Sequence, residues 1–164
     1  MGGPVFARLT FENAGVDTVT MTLENTAMLP AADGQAISRL LLNVDPFVSG
    51  SISSLSSKLK SWEFKEDGFT DVAGAFDLKI TFDNRSNNRI LPGGSIVMTA
   101  MGGGLTENSF NALSAGNNQY LGMVHLISIP PDGDSAKVTA VPEPASMIAL
   151  GLGALALVRR RKRK

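Results

Sequence analysis

The sequence predicts an all-β fold: an antiparallel β-sandwich of about 7–8 strands with one short helix, followed by a single C-terminal transmembrane helix. Three observations predict it. Apolar and polar residues alternate with period two in several separate stretches. Those stretches are short and punctuated by Gly, Pro, Asn and Asp turn signals. The last 24 residues break the pattern, running as 14 uncharged residues into six consecutive cations.

The elements follow in order. Val5, Ala7, Leu9 and Phe11 alternate over 5–12, and Val19, Met21 and Leu23 alternate with threonines over 18–24. Both read as half-buried strands, joined by a hairpin turn over Asn13–Asp17. The run from Ala36 to Val44 is more uniformly apolar and predicts a strand covered on both faces, ended by Pro46. Residues 49–61 are Ser-rich. Ile52, Leu55, Leu59 and Trp62 fall at helical spacing there, so a loop with one helical turn is expected, then a short strand around Trp62 and Phe64.

The clearest strand is 75–83, with Phe76, Leu78, Ile80 and Phe82 on one face and Asp77, Lys79, Thr81 and Asp83 on the other. A polar turn at 84–88 and Leu91-Pro92-Gly93-Gly94 lead to a strand over 95–101, broken by Gly102-Gly103-Gly104. Thr106 is placed to cap a short helix with Glu107 in its first turn, Phe110 and Leu113 inward, and Gly116 as its end. A long strand from Tyr120 to Ile129, a turn at 130–134 and a last strand near 135–140 complete the body.

The division expected is a β-sandwich domain over 1–140 and a terminal signal over 141–164. Formal net charge is zero, with fifteen basic and fifteen acidic residues. The sum hides a split. Residues 1–158 hold nine basic and fifteen acidic residues, a net of −6, and Arg159, Arg160, Arg161, Lys162, Arg163 and Lys164 supply +6. An acidic body argues against nucleic acid as a partner. Cysteine is absent and His125 is the lone histidine, so thiolate chemistry and a His/Cys metal site are excluded.

The terminal signal has three parts: Pro142, Glu143 and Pro144; an apolar segment over 145–158; and the basic tail over 159–164. As a helix the apolar segment spans about 21 Å, short of a bilayer core of about 30 Å. Snorkelling Arg and Lys side chains and local thinning can make up the difference. The other reading of such a run, a buried core helix, is opposed by six cations directly after it. Those cations resist translocation and stay cytoplasmic, acting as a stop-transfer block. The two prolines hold the segment around Glu143 extended and stop a helix from growing out of the membrane, which suits it to a processing groove. Ala145, Ala149 and Gly153 form a weak small-residue stripe.

Val141-Pro142-Glu143-Pro144, the apolar segment and the Arg-rich end, in this order at the chain terminus, resemble the PEP-CTERM sorting signal of Gram-negative bacteria. The body is reminiscent of the β-rich domains that carry it, at Leu9-Thr10-Phe11-Glu12-Asn13 and Leu105-Thr106-Glu107-Asn108-Ser109-Phe110. The resemblance implies an exported protein that is an exosortase substrate. It sits in the inner membrane as a precursor, body periplasmic and C-terminus cytoplasmic, before reaching the cell surface or the medium. It also implies association with exopolysaccharide and biofilm. Met1-Gly2-Gly3-Pro4 lacks the basic and apolar regions of an export leader, so the expectation is a start placed inside a longer precursor or at the mature domain, the alternative being that the export reading is wrong.

No catalytic residue, metal site or cofactor is expected. His125 lies among apolar neighbours and reads as a strand residue. Asp132-Gly133-Asp134-Ser135, and Asp83-Asn84 with Asn87-Asn88, lack the spacing of a calcium loop and read as turns. Gly102–Gly104 has no Lys-Ser/Thr after it and is no phosphate loop. The body is therefore expected to be non-enzymatic. The rival reading is a secreted carbohydrate-binding module or enzyme carrying the same tag, for which Trp62 and Tyr120, the single Trp and single Tyr, offer a thin aromatic surface.

Overall fold

Alternation of apolar and β-branched residues builds nine strands among the described residues, which are 5–27, 35–116 and 119–140 of a computed structural model. They are β1 (Ala7–Gly15), β2 (Thr18–Asn25), β3 (Ala36–Leu42), β4 (Ser51–Ser53), β5 (Leu59–Asp71), β6 (Gly74–Phe82), β7 (Ser95–Met101), β8 (Gly122–Ile129) and β9 (Asp134–Ala140). They form two antiparallel sheets, ordered β1-β2-β7-β4 and β5-β6-β3-β8-β9. The predicted all-β, antiparallel class holds, with one or two more strands than expected.

The register explains the core. In the four-stranded sheet Leu9, Leu23 and Ile96 align, as do Phe11, Met21 and Met98, and Val19 aligns with Ala100. In the five-stranded sheet one row runs Trp62, Ile80, Leu40, Val124, Val138, and the next runs Phe64, Leu78, Leu42, Gly122, Ala140. These two apolar faces meet in one cluster that draws Val19, Met21, Leu23, Ile96 and Met98 from the first sheet and Leu40, Leu42, Leu78, Ile80 and Phe82 from the second. Facing sheets with interleaved side chains are a sandwich.

Asn25 ties the two sheets together from within. It is buried, its Nδ2 donates to the carbonyls of Gln35 (2.8 Å) and Ile90 (2.9 Å), and its Oδ1 accepts from the Ala27 N–H at 3.2 Å. Asn25→Ala removes the partner of the Gln35 carbonyl and of the Ala27 N–H, while the Ile90 carbonyl keeps the Ile37 N–H. It is expected to cost about 2–4 kcal/mol in urea unfolding; a loss below about 0.5 kcal/mol would mean that water replaces the amide.

Four expectations are corrected. Ile52, Leu55, Leu59 and Trp62 do not share a helical face. Ile52 is buried in the edge strand β4, Leu55 is exposed in a turn, and β5 already begins at Leu59. Hydrophobic spacing across a Ser-rich turn was coincidence. β5 is also not short: it runs through Asp71 with register shifts that bend it. The short helix is one 3₁₀ turn, Glu107–Phe110, ending well before Gly116. Phe110 is buried and stacks on Phe11 at 4.6 Å between ring centroids, but Leu113 points outward, because the turn closes before the chain comes round to it. The hairpin turn after β1 is tighter than Asn13–Asp17, since β1 pairs through Gly15 and Asp17 takes the left-handed conformation.

The bend in β5 positions a polar cleft on the five-stranded sheet. Beyond Phe64 the ladder with β6 shifts and resumes at Phe69–Phe76. Asp77 secures the shift. Its Oδ1 accepts from the Asp67 N–H at 2.7 Å and its Oδ2 from the Val44 N–H at 3.0 Å. The resulting β5–β6 arm packs over the outer face of its own sheet. Phe69, Ala73 and Phe76 join Leu41, Met123 and Tyr120 in a second, smaller apolar cluster there. Phe76 thus leaves the main core that its alternation with Leu78 and Ile80 predicted, because the shift turns the arm.

Candidate functional site

β9 ends at Ala140, with its carbonyl accepting from the Leu121 N–H at 3.1 Å. The proposed sorting residues begin two positions later. Pro142, Glu143 and Pro144, the segment 145–158, and Arg159, Arg160, Arg161, Lys162, Arg163 and Lys164 lie outside the described residues. Among the described residues no helix is long and apolar enough to cross a membrane.

The other residues singled out in the sequence fall as follows. Asp83 accepts from the Arg85 N–H and from Asn88 Nδ2, both at 3.0 Å, so it organises the turn at 84–88. Asp132 and Gly133 form the turn between β8 and β9, where Gly133 takes the positive φ that a tight turn demands. Among the described residues no group of three His, Asp or Glu is arranged to hold a metal. Trp62 lies opposite Ile80 on the edge strand β5, whereas Tyr120 packs on the second cluster, so the two do not make a common surface.

His125 sits on the outer face of the five-stranded sheet, in a polar row that sequence reading did not assemble: Ser61, Thr81, Arg39, His125 and Lys137, one from each strand. The next row is Glu63, Lys79, Leu41, Met123 and Thr139. The β5–β6 arm overhangs both rows and leaves a cleft of about 480 Å³ whose lining includes Arg39, Ser61, Phe69, Asp71, Lys79 and Thr81.

Most charges around this cleft are paired. Lys79 Nζ meets Glu63 Oε2 at 2.8 Å and lies 4.4 Å from the centre of the Phe69 ring. Lys137 Nζ meets Asp71 Oδ1 at 2.7 Å, and that oxygen also accepts from the Val72 N–H. Arg39 is different. Its Nε is sealed from solvent with no acceptor, and the guanidinium makes no ion pair among the described residues. The signal was legible: Arg39 is the one charge inside the apolar run 36–44.

Two titrating groups report on this field. Burial, followed by the charges of Arg39 and Lys137, holds His125 below its usual 6.5, with Asp71 opposing. Its Nδ1 lies 2.9 Å from Ser38 Oγ. Burial pushes Asp71 up, but the Lys137 hydrogen bond, the Val72 N–H and the charges of Lys137 and Arg39 together hold it below 3.8. A carboxyl depressed in the fold stabilises fully above its unfolded pKa and loses that contribution as pH falls through the lower folded value. Asp71→Asn is therefore expected to flatten the loss of stability as pH falls below about 4, followed by urea midpoints. An unchanged pH profile would show that Asp71 titrates alike in both states.

No curated protein and no solved structure matches the chain. Residues 140–163 match the family model of the PEP-CTERM protein-sorting motif, starting at the last residue of β9. The chain therefore carries at its C-terminus a PEP-CTERM protein-sorting motif, which implies an exported protein targeted to an exosortase.

Proposed function

We propose that this chain is a non-enzymatic envelope protein, held briefly in the inner membrane by residues 145–158 and then processed by an exosortase near Pro142, Glu143 and Pro144. Arg159–Lys164 remain cytoplasmic and the sandwich lies on the periplasmic side. Release delivers the body to the cell surface or the medium, where it associates with exopolysaccharide. The observation that carries the reading is the order of parts: a strand ending at Ala140, a Pro-Glu-Pro segment, an uncharged run of 14 residues and six cations. A proline-stiffened segment beside a membrane anchor is exposed to a membrane enzyme, whereas the same residues inside a sheet would be protected.

Intact mass of protein recovered from native cells tests this. The expected surface or secreted form lacks everything after the Pro-Glu-Pro segment, while a membrane fraction retains the full tail. Finding only full-length chain in every compartment, including the aqueous one, would refute the processing step.

A further inference from the structure

We propose that the cleft beneath the β5–β6 arm binds an acidic sugar of the uronate type, its carboxylate on the guanidinium of Arg39 and its ring hydroxyls on Ser61, Thr81 and Asp71. The charge balance sets the ligand's sign and size. Lys79 and Lys137 are neutralised by Glu63 and Asp71, and burial with nearby cations keeps His125 uncharged at neutral pH. One positive charge remains, that of Arg39, which lines the cleft and makes no ion pair among the described residues. A planar fork of N–H groups is best met by a carboxylate. A phosphate dianion would bring a second charge with no free cation to meet it, and would face the carboxylate of Asp71.

The rest of the wall suits a hydroxyl-rich ring. The hydroxyls of Ser61, Thr70 and Thr81 make no hydrogen bond among the described residues. Both bonds to Asp71 fall on Oδ1, leaving Oδ2 to accept from a sugar hydroxyl. A volume of about 480 Å³ is in the range of small-ligand sites. The inference rests on the proposed surface role only for its setting. A chain whose tail is never removed can still bind a uronate, and one that ignores uronates can still be processed.

The test is titration of the full chain, in detergent, with glucuronate, glucose, acetate and inorganic phosphate, read by calorimetry and by the ¹⁵N-resolved signal of Arg39 Nε–H. Glucuronate is expected to bind saturably and move that signal, with glucose, acetate and phosphate each much weaker. Arg39→Gln is expected to weaken glucuronate at least about tenfold, the effect of losing a charge-assisted pair, without changing the ligand-free unfolding midpoint. Arg39→Lys should recover part of the loss and Thr81→Val should weaken binding several-fold. Should Arg39→Gln fail to fold, the wild-type Arg39 signal and Thr81→Val decide. No saturable shift with glucuronate overturns the proposal, and so does acetate or phosphate binding as tightly as glucuronate.

Discussion

Replacing Arg159, Arg160, Arg161, Lys162, Arg163 and Lys164 together with serine is expected to abolish stable membrane retention and the fixed orientation of the precursor. Each Arg or Lys costs about 2.5–3.5 kcal/mol at the centre of a spanning helix on insertion scales. Six of them make a barrier on the order of 15–20 kcal/mol against drawing the tail through. Six serines leave a small fraction of that. The apolar run before them is only 14 residues, about 21 Å as a helix against a core of about 30 Å. A marginal span depends on its anchors more than a long one does. Carbonate-washed membrane pellets and protease accessibility of the C-terminus read the two effects. Unchanged fractionation together with unchanged orientation would remove the cations from the mechanism.

Phe82→Ala is expected to cost about 3–5 kcal/mol, a large share of the roughly 5–15 kcal/mol that holds an ordinary domain folded. Phe82 is fully buried at the end of β6, within the cluster where the two sheets meet. The loss combines the transfer energy of a ring with the cavity left between two sheets that cannot close on it. Val16→Ala supplies the control: Val16 is 90% exposed in the β1–β2 turn, and its change should stay within about 0.5 kcal/mol. Urea unfolding of both variants decides. A Phe82→Ala loss under about 1 kcal/mol would mean that the sheets repack.

Much of the sandwich was legible because its inner strands keep period two without interruption. Val19, Met21 and Leu23, and Ile96 and Met98, are all buried as their alternation demands, and β7 spans the residues expected of it. β5 was not legible. As an edge strand it needs few apolar residues, and its polar stretch from Lys65 to Gly68 resembles a loop although it is the bend that turns the arm. Asp67 holds a left-handed φ of 46° there through its hydrogen bond to Asp77, a pairing that no local pattern announces. The terminal signal was legible as a motif, since the family model matches the same stretch of proline, apolar and basic residues. The cleft was legible only in its floor. Arg39 stands out in an apolar run, but Asp71 and Lys137 are 66 residues apart and meet only because the arm bends.

That meeting has a mechanical consequence. β5 and β9 are opposite borders of the five-stranded sheet, yet Asp71 on one and Lys137 on the other touch at 2.7 Å. β9 borders a single strand, and the sorting motif starts at its last residue. Tension between anchor and body therefore enters at a strand with ladder bonds on one side only, which would peel one bond at a time. The Asp71–Lys137 rivet shares that pull with the far border of the sheet. Cutting it should lower the force at which the C-terminal strand detaches.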